Sequence, residues 1–408
     1  MESAMTAVVP HHELPYLDTH TTQFLDDPNG ALGTGQSRLR MAAGRSGTEV
    51  FSYDTARELF RDSRITPRTP QVFLDKGLDG GPIMDYLVDG NLNLTWAEVH
   101  DRLRPIMVRG FRANRIAESR QFIRELADEL IDDLLTRDHC DIVADFSHHL
   151  SIQVISRFIG IPREDVPEFD QATVELRLLG QEPFWPGVPR LERALETVRD
   201  YSERIVAQRR RKPEADFISD LIEARESTDR ISEAELVWNI AGVLLAGHDT
   251  TRYQLASCVR AVVAAGEWET LRDRPGLVPA AVNEAMRLHP ATPRQVKVVG
   301  EDLTIESRQF RKGDLITLNL AAAGRDPAVF PGPDRLDLHR TEPLFDIGFG
   351  YGAHYCLGFA VAKAEMEEAL TLLTQRLRDV SIDGPIELKP GGVIAGPEVV
   401  PLRYRSRP

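Results

Sequence analysis

The stretch FGYGAHYCLG, from Phe349 to Gly358, decides how the rest of this chain is interpreted. Helical periodicity begins directly behind it, over residues 359–377, so we expect Cys356 to lie at the amino end of a helix. Backbone N–H groups and the positive end of the helix dipole stabilise a thiolate at such a position. Three glycines leave room around the sulfur for a flat ligand or for backbone: Gly350, Gly352 and Gly358.

The composition excludes several classes of protein. The chain has 408 residues, of which 42% are hydrophobic and 27% charged, and its net charge is −14. Such an acidic chain is a poor general binder of nucleic acid or anionic lipid. No basic and then apolar leader opens it, and no stretch approaches the roughly 20 apolar residues of a bilayer span. We therefore expect a cytoplasmic protein without a membrane segment. The two remaining cysteines, Cys140 and Cys258, are predicted to be small buried side chains.

One long helix is predicted through the middle of the chain. Ser232 and Glu235 have the spacing of a capping box, and no proline follows until after residue 265. The centre, residues 240–247, is apolar on all sides and should be buried. Residues 249–251, an acid and two threonines, interrupt this pattern. They indicate either a helix end or solvent-facing turn, or a break with a function.

The remaining pattern predicts a mainly α-helical domain with a small β portion. Helical stripes recur near residues 122–134 and 191–211, whereas β-branched or alternating residues favour strands at 296–305, 314–320 and 399–404. No repeat or linker divides the chain. We therefore expect one domain over residues 1–408, with residues 1–40 as a lead-in.

These motifs together resemble the cytochrome P-450 family. FGYGAHYCLG matches its haem-binding loop, F-G-x-G-x-x-x-C-x-G, and further family patterns occur in the right order. They are H-x-x-x-R at His100 and Arg104, A-G-x-[DE]-T-T at 246–251, E-x-x-R at Glu284 and Arg287, and A-x-x-E at Ala362 and Glu365. The similarity spans roughly residues 50–405 and is closest to the soluble bacterial members. It implies the cytochrome P-450 fold, a single large domain with the long central helix over the haem.

The resemblance implies haem b as cofactor, with the Cys356 thiolate as axial ligand of the iron. A donating sulfur favours O–O cleavage over reversible oxygen binding. The residues expected around the haem are Phe349, Gly350, His354, Cys356, Gly358, Ala246 and Gly247. His100, Arg104 and His354 are expected to bind the propionates, although Pro105 could kink their helix. Lys297 stands where the family usually has arginine, so its contact should be weaker.

Asp249 and Thr250 are expected to deliver protons during oxygen activation. His248 is most simply a satisfied helix histidine. Arg294 is expected either at a propionate or at a polar group of the substrate, with equal weight. Glu284, Arg287 and Arg335 should form a buried structural triad, in which a missing member leaves an uncompensated charge.

Electrons must come from outside, because the chain has no flavin or iron–sulfur segment. Residues 102–115 contain five arginines and no acidic residue, which suits an acidic ferredoxin; the alternative is a solvated helix face. NAD(P)H would supply the electrons through a ferredoxin reductase, and we expect the enzyme to be a monomer.

The family positions that should line a substrate pocket are mainly apolar. They are Met84, Tyr86, Leu87, Leu94, Leu245, Ala246, Thr292, Arg294, Val393 and Ile394. We therefore expect a monooxygenase that hydroxylates or epoxidises a medium-sized hydrophobic molecule, a biosynthetic intermediate. Oxidative coupling within the same fold and a non-catalytic haem sensor or carrier are the alternatives; Thr250 argues against the first, and Asp249 and Thr250 against the second.

Overall fold

The computed structural model describes most of the chain. It covers residues 9–10, 13–33, 35–68, 70–75, 77–95, 97–180, 184–228, 230–341, 345, 347–389 and 394–405. Among these residues, no helix combines the length and the apolar character that crossing a bilayer requires.

Helices dominate the described part. In chain order they are α1 (Thr22–Asp26), α2 (Pro28–Leu32), α3 (Tyr53–Arg61), α4 (Gln71–Asp75), α5 (Pro82–Asp85), α6 (Ala97–Gly110), α7 (Ala113–Leu134), α8 (His148–Ile159), α9 (Asp170–Glu175), α10 (Val188–Arg211), α11 (Phe217–Ser227), α12 (Glu233–Ala264), α13 (Trp268–Asp273), α14 (Val278–Leu288), α15 (Leu320–Ala323) and α16 (Phe359–Arg376).

The strands are short and form small sheets. In chain order they are β1 (Val9–Pro10), β2 (Met41–Gly44), β3 (Gly47–Val50), β4 (Ile65–Pro67), β5 (His139–Asp141), β6 (Arg294–Val299), β7 (Leu303–Ile305), β8 (Arg308–Phe310), β9 (Leu315–Asn319), β10 (Arg378–Ile382), β11 (Glu387–Leu388), β12 (Pro397–Val399) and β13 (Pro401–Arg405). The largest sheet has the order β2-β3-β9-β6-β4; the others are β1-β8-β7, β10-β13-β5 and β11-β12. This confirms the predicted mainly α-helical fold with a small β portion.

Helix α12 is the long central helix, and its start is confirmed. The Ser232 hydroxyl accepts from the N–H of Glu235 at 3.0 Å, and the Glu235 carboxylate accepts from the N–H of Ser232 at 2.7 Å. The helix packs against α8, α10, α14 and α16, which buries most of its surface. At Gly247 the absent side chain lets α8 approach, since a Cβ there would lie 2.5 Å from Ile155.

The sequence predicts a helix end or a break at residues 249–251. This prediction is wrong, because α12 continues through them to Ala264. Two local contacts pair polar groups of this segment. The Thr250 hydroxyl donates to the carbonyl of Ala246 at 2.8 Å, and Arg252 neutralises the Asp249 carboxylate. The helix therefore holds these groups in its interior without losing its backbone hydrogen bonds.

Two further helices position the site. Helix α16 begins three residues after Cys356, as the sequence predicts. Helix α6 continues through Pro105 to Gly110, so His100 and Arg104 stay one helical turn apart on one face. Cys140 and Cys258 are 5% and 0% exposed, which confirms them as buried side chains.

Candidate active site

The loop before α16 closes on itself around Cys356. The backbone N–H of Cys356 donates to the carbonyl of Phe349 at 2.9 Å. Gly350 and Gly352 have φ of 76° and 70°, a left-handed conformation that favours glycine. The backbone N–H of Gly358 hydrogen-bonds to the cysteine sulfur. The glycines are thus required by the course of the loop as well as by space near the sulfur.

Two opposing effects act on the Cys356 thiol. Burial raises its pKa, whereas the Gly358 N–H and the charge of Arg104 lower it, and burial prevails. The thiolate is therefore disfavoured in the chain alone. A metal cation at the sulfur would reverse this balance, because coordination deprotonates a thiol.

Four nitrogen-bearing side chains converge beside this loop: His100 and Arg104 of α6, Lys297 of β6, and His354. The rings of His100 and His354 are 4.2 Å apart between centroids. Arg104 Nη2 donates to the carbonyl of Tyr355 at 2.5 Å. Burial and then the charges of His100, Lys297 and Arg104 lower the pKa of His354 to about 3, so this imidazole stays neutral. The structure thus brings these four side chains together, and their role at the propionates stays a prediction.

This group of side chains has unused hydrogen-bonding capacity. Nε2 of His100 is buried and makes no close hydrogen bond in the described part of the chain; the other contacts of the ring are exposed Asp101, 3.5 Å from Nδ1, and the backbone of Ala353. Lys297 is 9% exposed, and burial lowers its pKa to about 8. Buried donors of this kind require an acceptor, and an anionic ligand provides one.

Helix α12 contributes an accessible stripe in the middle of a buried segment. Ala246 is exposed and Thr250 is half-buried, whereas Leu245, His248 and Asp249 are buried. Since Ala246 and Thr250 are four residues apart, they lie on the same face of the helix. Gly247 differs from its prediction, because its missing side chain faces Ile155 and serves helix packing.

Asp249 and His248 have different surroundings. Asp249 is fully buried, and its Oδ1 accepts from Arg252 Nη2 at 2.5 Å. His248 contacts the Thr173 hydroxyl at 2.9 Å through Nδ1 and His148 Nδ1 at 3.2 Å through Nε2. His248 is therefore a satisfied helix histidine, as the simpler interpretation has it.

Arg294 does not join the four side chains beside the loop. It is 2% exposed, its Nη1 donates to the carbonyl of Thr19 at 2.6 Å, and the charge of Glu49 acts on it. Arg294 and Lys297 are three residues apart on β6 and so point to opposite sides of the strand. The described contacts thus hold Arg294 against the Thr19 backbone, and its roles at a propionate or at a substrate stay predictions.

The buried charge triad needs one correction. Glu284 accepts from Arg287 Nε at 2.7 Å and from Arg340 Nε at 2.9 Å. Arg335 contributes its carbonyl, which accepts from Arg287 Nη2 at 2.8 Å, while its side chain is exposed. Arg340 thus takes the place predicted for Arg335, because the loop turns the later arginine inward.

The predicted pocket residues separate into two groups. Met84, Tyr86, Leu87 and Leu245 belong to the large hydrophobic core, with exposures of 7%, 3%, 1% and 1%. The partly or fully accessible ones are Leu94, Ala246, Thr292 and Ile394. Val393 lies outside the described residues. These four side chains therefore pack in the interior, and their place in a substrate pocket stays a prediction.

Sequence reasoning missed Arg252 and Arg340. Arg252 lies three residues after Asp249, a spacing at which helical side chains pair, so this contact had a signal. Arg340 lies 56 residues from Glu284, and no local pattern connects the two.

A buried thiol at the start of a helix, beside the Nε2 of His100 and several cationic side chains, fits a haem-thiolate site. The family model for cytochrome P450 matches residues 259–384. The mycinamicin IV hydroxylase/epoxidase of Micromonospora griseorubida is 32% identical over 382 residues, which are 90% of this chain and 91% of that protein. The cyclomarin C epoxidase of Salinispora arenicola is 33% identical, over 85% of this chain and 90% of that protein. The chain therefore belongs to the cytochrome P450 family and is a monooxygenase.

Solved structures agree with this fold. The myxobacterial cytochrome P450 CYP267B1, solved with myristic acid, has a TM-score of 0.85 at 29% identity and covers 95% of this chain and 99% of that chain. The cytochrome P450 PksS of the bacillaene polyketide synthase of Bacillus subtilis has a TM-score of 0.84 at 27% identity, over 95% and 99%.

The cofactor of this family is haem bound through a cysteine thiolate, and the described residues fit it. Cys356 offers the sulfur, and the unpartnered Nε2 of His100 lies among the cations that two propionates need. The exposed Ala246 leaves one face of α12 open for a ligand.

Proposed function

We propose that this monooxygenase hydroxylates or epoxidises a medium-sized hydrophobic intermediate of secondary metabolism. The observation that carries the proposal is the accessible Thr250 hydroxyl beside the fully buried Asp249 on α12. A binding or carrier protein does not need a proton donor and a carboxylate at this point of a helix.

The haem, when bound, supplies oxygen activation and the insertion of one oxygen atom. The chain's own residues supply protons and exclude water. The Thr250 hydroxyl binds the Ala246 carbonyl at 2.8 Å and still has lone pairs with which to hold a water molecule. Asp249, one residue earlier, can accept a proton and pass it to that water.

The accessible pocket residues favour a hydrophobic substrate. Leu94, Ala246 and Ile394 are apolar, and Thr292 offers one hydroxyl. The mycinamicin and cyclomarin enzymes carry names of secondary metabolites, which supports the same class of substrate here. A screen of hydrophobic metabolites would identify the substrate and the position that is oxidised.

We infer that an acidic ferredoxin, reduced by NAD(P)H through its reductase, donates the electrons. Fewer than the five predicted arginines are available to such a partner. Arg102 pairs with Glu235 at 2.6 Å, and Arg115 with Asp220 at 3.1 Å. Arg112 is exposed but also lies 3.4 Å from Asp220, whereas Arg109 is exposed next to Val108, which is 46% exposed. This combination of cations and one apolar side chain suits a transient acidic partner.

The test of oxygen insertion is Thr250→Ala against Thr250→Ser. With surrogate ferredoxin and reductase, we expect Thr250→Ala to raise hydrogen peroxide released per NAD(P)H severalfold and to lower product, since the hydroxyl is lost. Thr250→Ser keeps the hydroxyl and should behave as the wild type. If both variants release the same amount of hydrogen peroxide per NAD(P)H, the Thr250 hydroxyl has no role in the mechanism.

The test of the substrate class is a screen of hydrophobic metabolites for a shift of the Soret band, followed by turnover of the compounds that bind. Mass spectrometry should then find one added oxygen atom. A product that has lost two hydrogens without gaining oxygen would favour oxidative coupling instead.

A further inference from the structure

Helix α12 carries a buried ion pair that the mechanism above does not explain. Asp249 Oδ1 and Arg252 Nη2 are 2.5 Å apart, and the two side chains are 0% and 10% exposed. A buried pair is stable only when both charges are present, because either one alone is costly in a low-dielectric interior. Arg252 is therefore the counter-charge of the Asp249 carboxylate.

The pair is incompletely satisfied, which is unusual for buried ions. Asp249 Oδ2 and Arg252 Nε are both buried and have no hydrogen-bond partner in the described part of the chain. Arg252 thus occupies one carboxylate oxygen and leaves the other free. A free lone pair on a buried carboxylate is the feature that a proton carrier needs.

Other charged groups surround the pair without replacing Arg252. The guanidinium of Arg252 also lies over the ring of Tyr253, 4.4 Å from its centroid. The titratable and charged groups near the pair come from several elements. They are Tyr253, His248, Asp170, Lys389, Glu398 and Arg177. Within the described part of the chain, the hydrogen bond to the Asp249 carboxylate comes from Arg252.

We propose that Arg252 is the positioning residue for Asp249: it binds Oδ1 and leaves Oδ2 to accept and release the proton. A proton enters and leaves at Oδ2 while Oδ1 stays bound to Arg252, so charge is restored after each transfer. This inference rests on the proposed oxygen insertion, in which Asp249 acts on Thr250. Without Arg252, the buried carboxylate should take up a proton and keep it.

The experiment measures that proton directly in the ferric holoenzyme. We compare Arg252→Gln, Arg252→Lys, Asp249→Asn and the double variant Asp249→Asn/Arg252→Gln by infrared difference spectroscopy against the wild type at pH 7. Arg260→Gln is the matched control, since Arg260 lies on the same helix and pairs with exposed Asp26. Burial raises the pKa of Glu365 to about 8, so its protonated carboxyl band occurs in every variant and cancels in the difference.

The expected result is a new protonated-carboxyl band in Arg252→Gln alone. It should be absent from Arg252→Lys, which keeps the charge, from Arg260→Gln, and from the double variant, which lacks the carboxyl group. The pH at which the band disappears in Arg252→Gln should lie above that of an exposed aspartate. No band in folded Arg252→Gln, or a band of equal size in the double variant, would overturn the proposal.

A second measurement connects this proton to turnover. Peroxide released per NAD(P)H, with a compound from the screen, should rise severalfold in Arg252→Gln and in Asp249→Asn, but no further in the double variant, because Arg252 acts through Asp249. Arg252→Lys should recover most of the coupling. If Asp249→Asn stays fully coupled while the infrared band is present, the proton-delivery role of Asp249 fails and the effect of Arg252 on the carboxylate stands.

Discussion

Two buried polar clusters of this protein differ in how fully their hydrogen-bonding groups are paired. In the cluster around Glu284, Arg287 and Arg340, the carboxylate accepts from both arginines and from the N–H of Asp337, and Arg287 also donates to backbone carbonyls such as that of Gly324. In the cluster of His100, Arg104, Lys297 and His354, Nε2 of His100 has no partner in the described part of the chain.

The difference separates a structural cluster from a binding cluster. A buried network whose groups are all paired contributes to one unique structure, and an additional ligand has nothing to bind there. A network with unused donors is costly until an acceptor arrives. Removing one member should therefore destabilise the fold in the first cluster and weaken haem binding in the second.

The largest effect is expected at the sulfur beside the open cluster. Cys356→Ser removes the thiolate donor, so the ferrous–CO absorption characteristic of the family should disappear while the fold is kept. Cys140→Ala, a loss of a buried cysteine far along the chain from the loop, is the control and should keep this band. A Cys356→Ser protein with the unchanged band would disprove thiolate ligation by Cys356.

The next effect is expected in the closed cluster. Glu284→Gln leaves Arg287 and Arg340 without their counter-charge, and breaking a buried pair costs about 3–5 kcal/mol. We expect the free energy of unfolding to fall by this amount, with loss of bound haem, as followed by far-UV circular dichroism and Soret absorption in denaturant. Retained stability would mean that water reaches this cluster.

A smaller effect separates two arginines of the same loop. Arg340→Gln removes a buried charged hydrogen bond and should cost about 1–3 kcal/mol. Arg335→Gln changes an exposed side chain whose carbonyl does the bonding, so its effect should stay within about 0.5 kcal/mol. Denaturant midpoints of the two variants measure the difference, and the reverse order would restore Arg335 to the cluster.

This pair of arginines shows how far the sequence reaches. Local rules predicted the capping box of α12, the helix after Cys356 and the shared face of His100 and Arg104, because each depends on spacing within one or two turns. The contact between Glu284 and the loop before Cys356 depends on how that loop folds, which no short spacing determines. The sequence analysis therefore assigned Arg335 to the position that Arg340 occupies. The contact of Arg294 with the Thr19 carbonyl, 275 residues away, likewise had no local signal.

The smallest effect tests the open cluster through pH. Lys297 has a pKa of about 8, lowered by burial, whereas an arginine at this position would stay charged. Below pH 8 the charged lysine meets an anionic ligand without taking up a proton. Above pH 8 binding must protonate it first, so haem affinity should fall with rising pH, by up to about tenfold per unit. His100, Arg104 and His354 face the same place, but burial keeps His354 neutral throughout this range.

The measurement is the dissociation constant of haem, from its transfer to an acceptor globin, at pH 7 and pH 9 for the wild type and for Lys297→Arg. The fall should be present in the wild type and largely absent from Lys297→Arg, which corresponds to a difference of about 1.4 kcal/mol per pH unit. Lys363→Arg, the same exchange on α16, is the control and should leave the wild-type fall unchanged. If the haem affinity of Lys297→Arg falls as steeply with rising pH as that of the wild type, the donors of the open cluster do not bind the anionic groups of the haem.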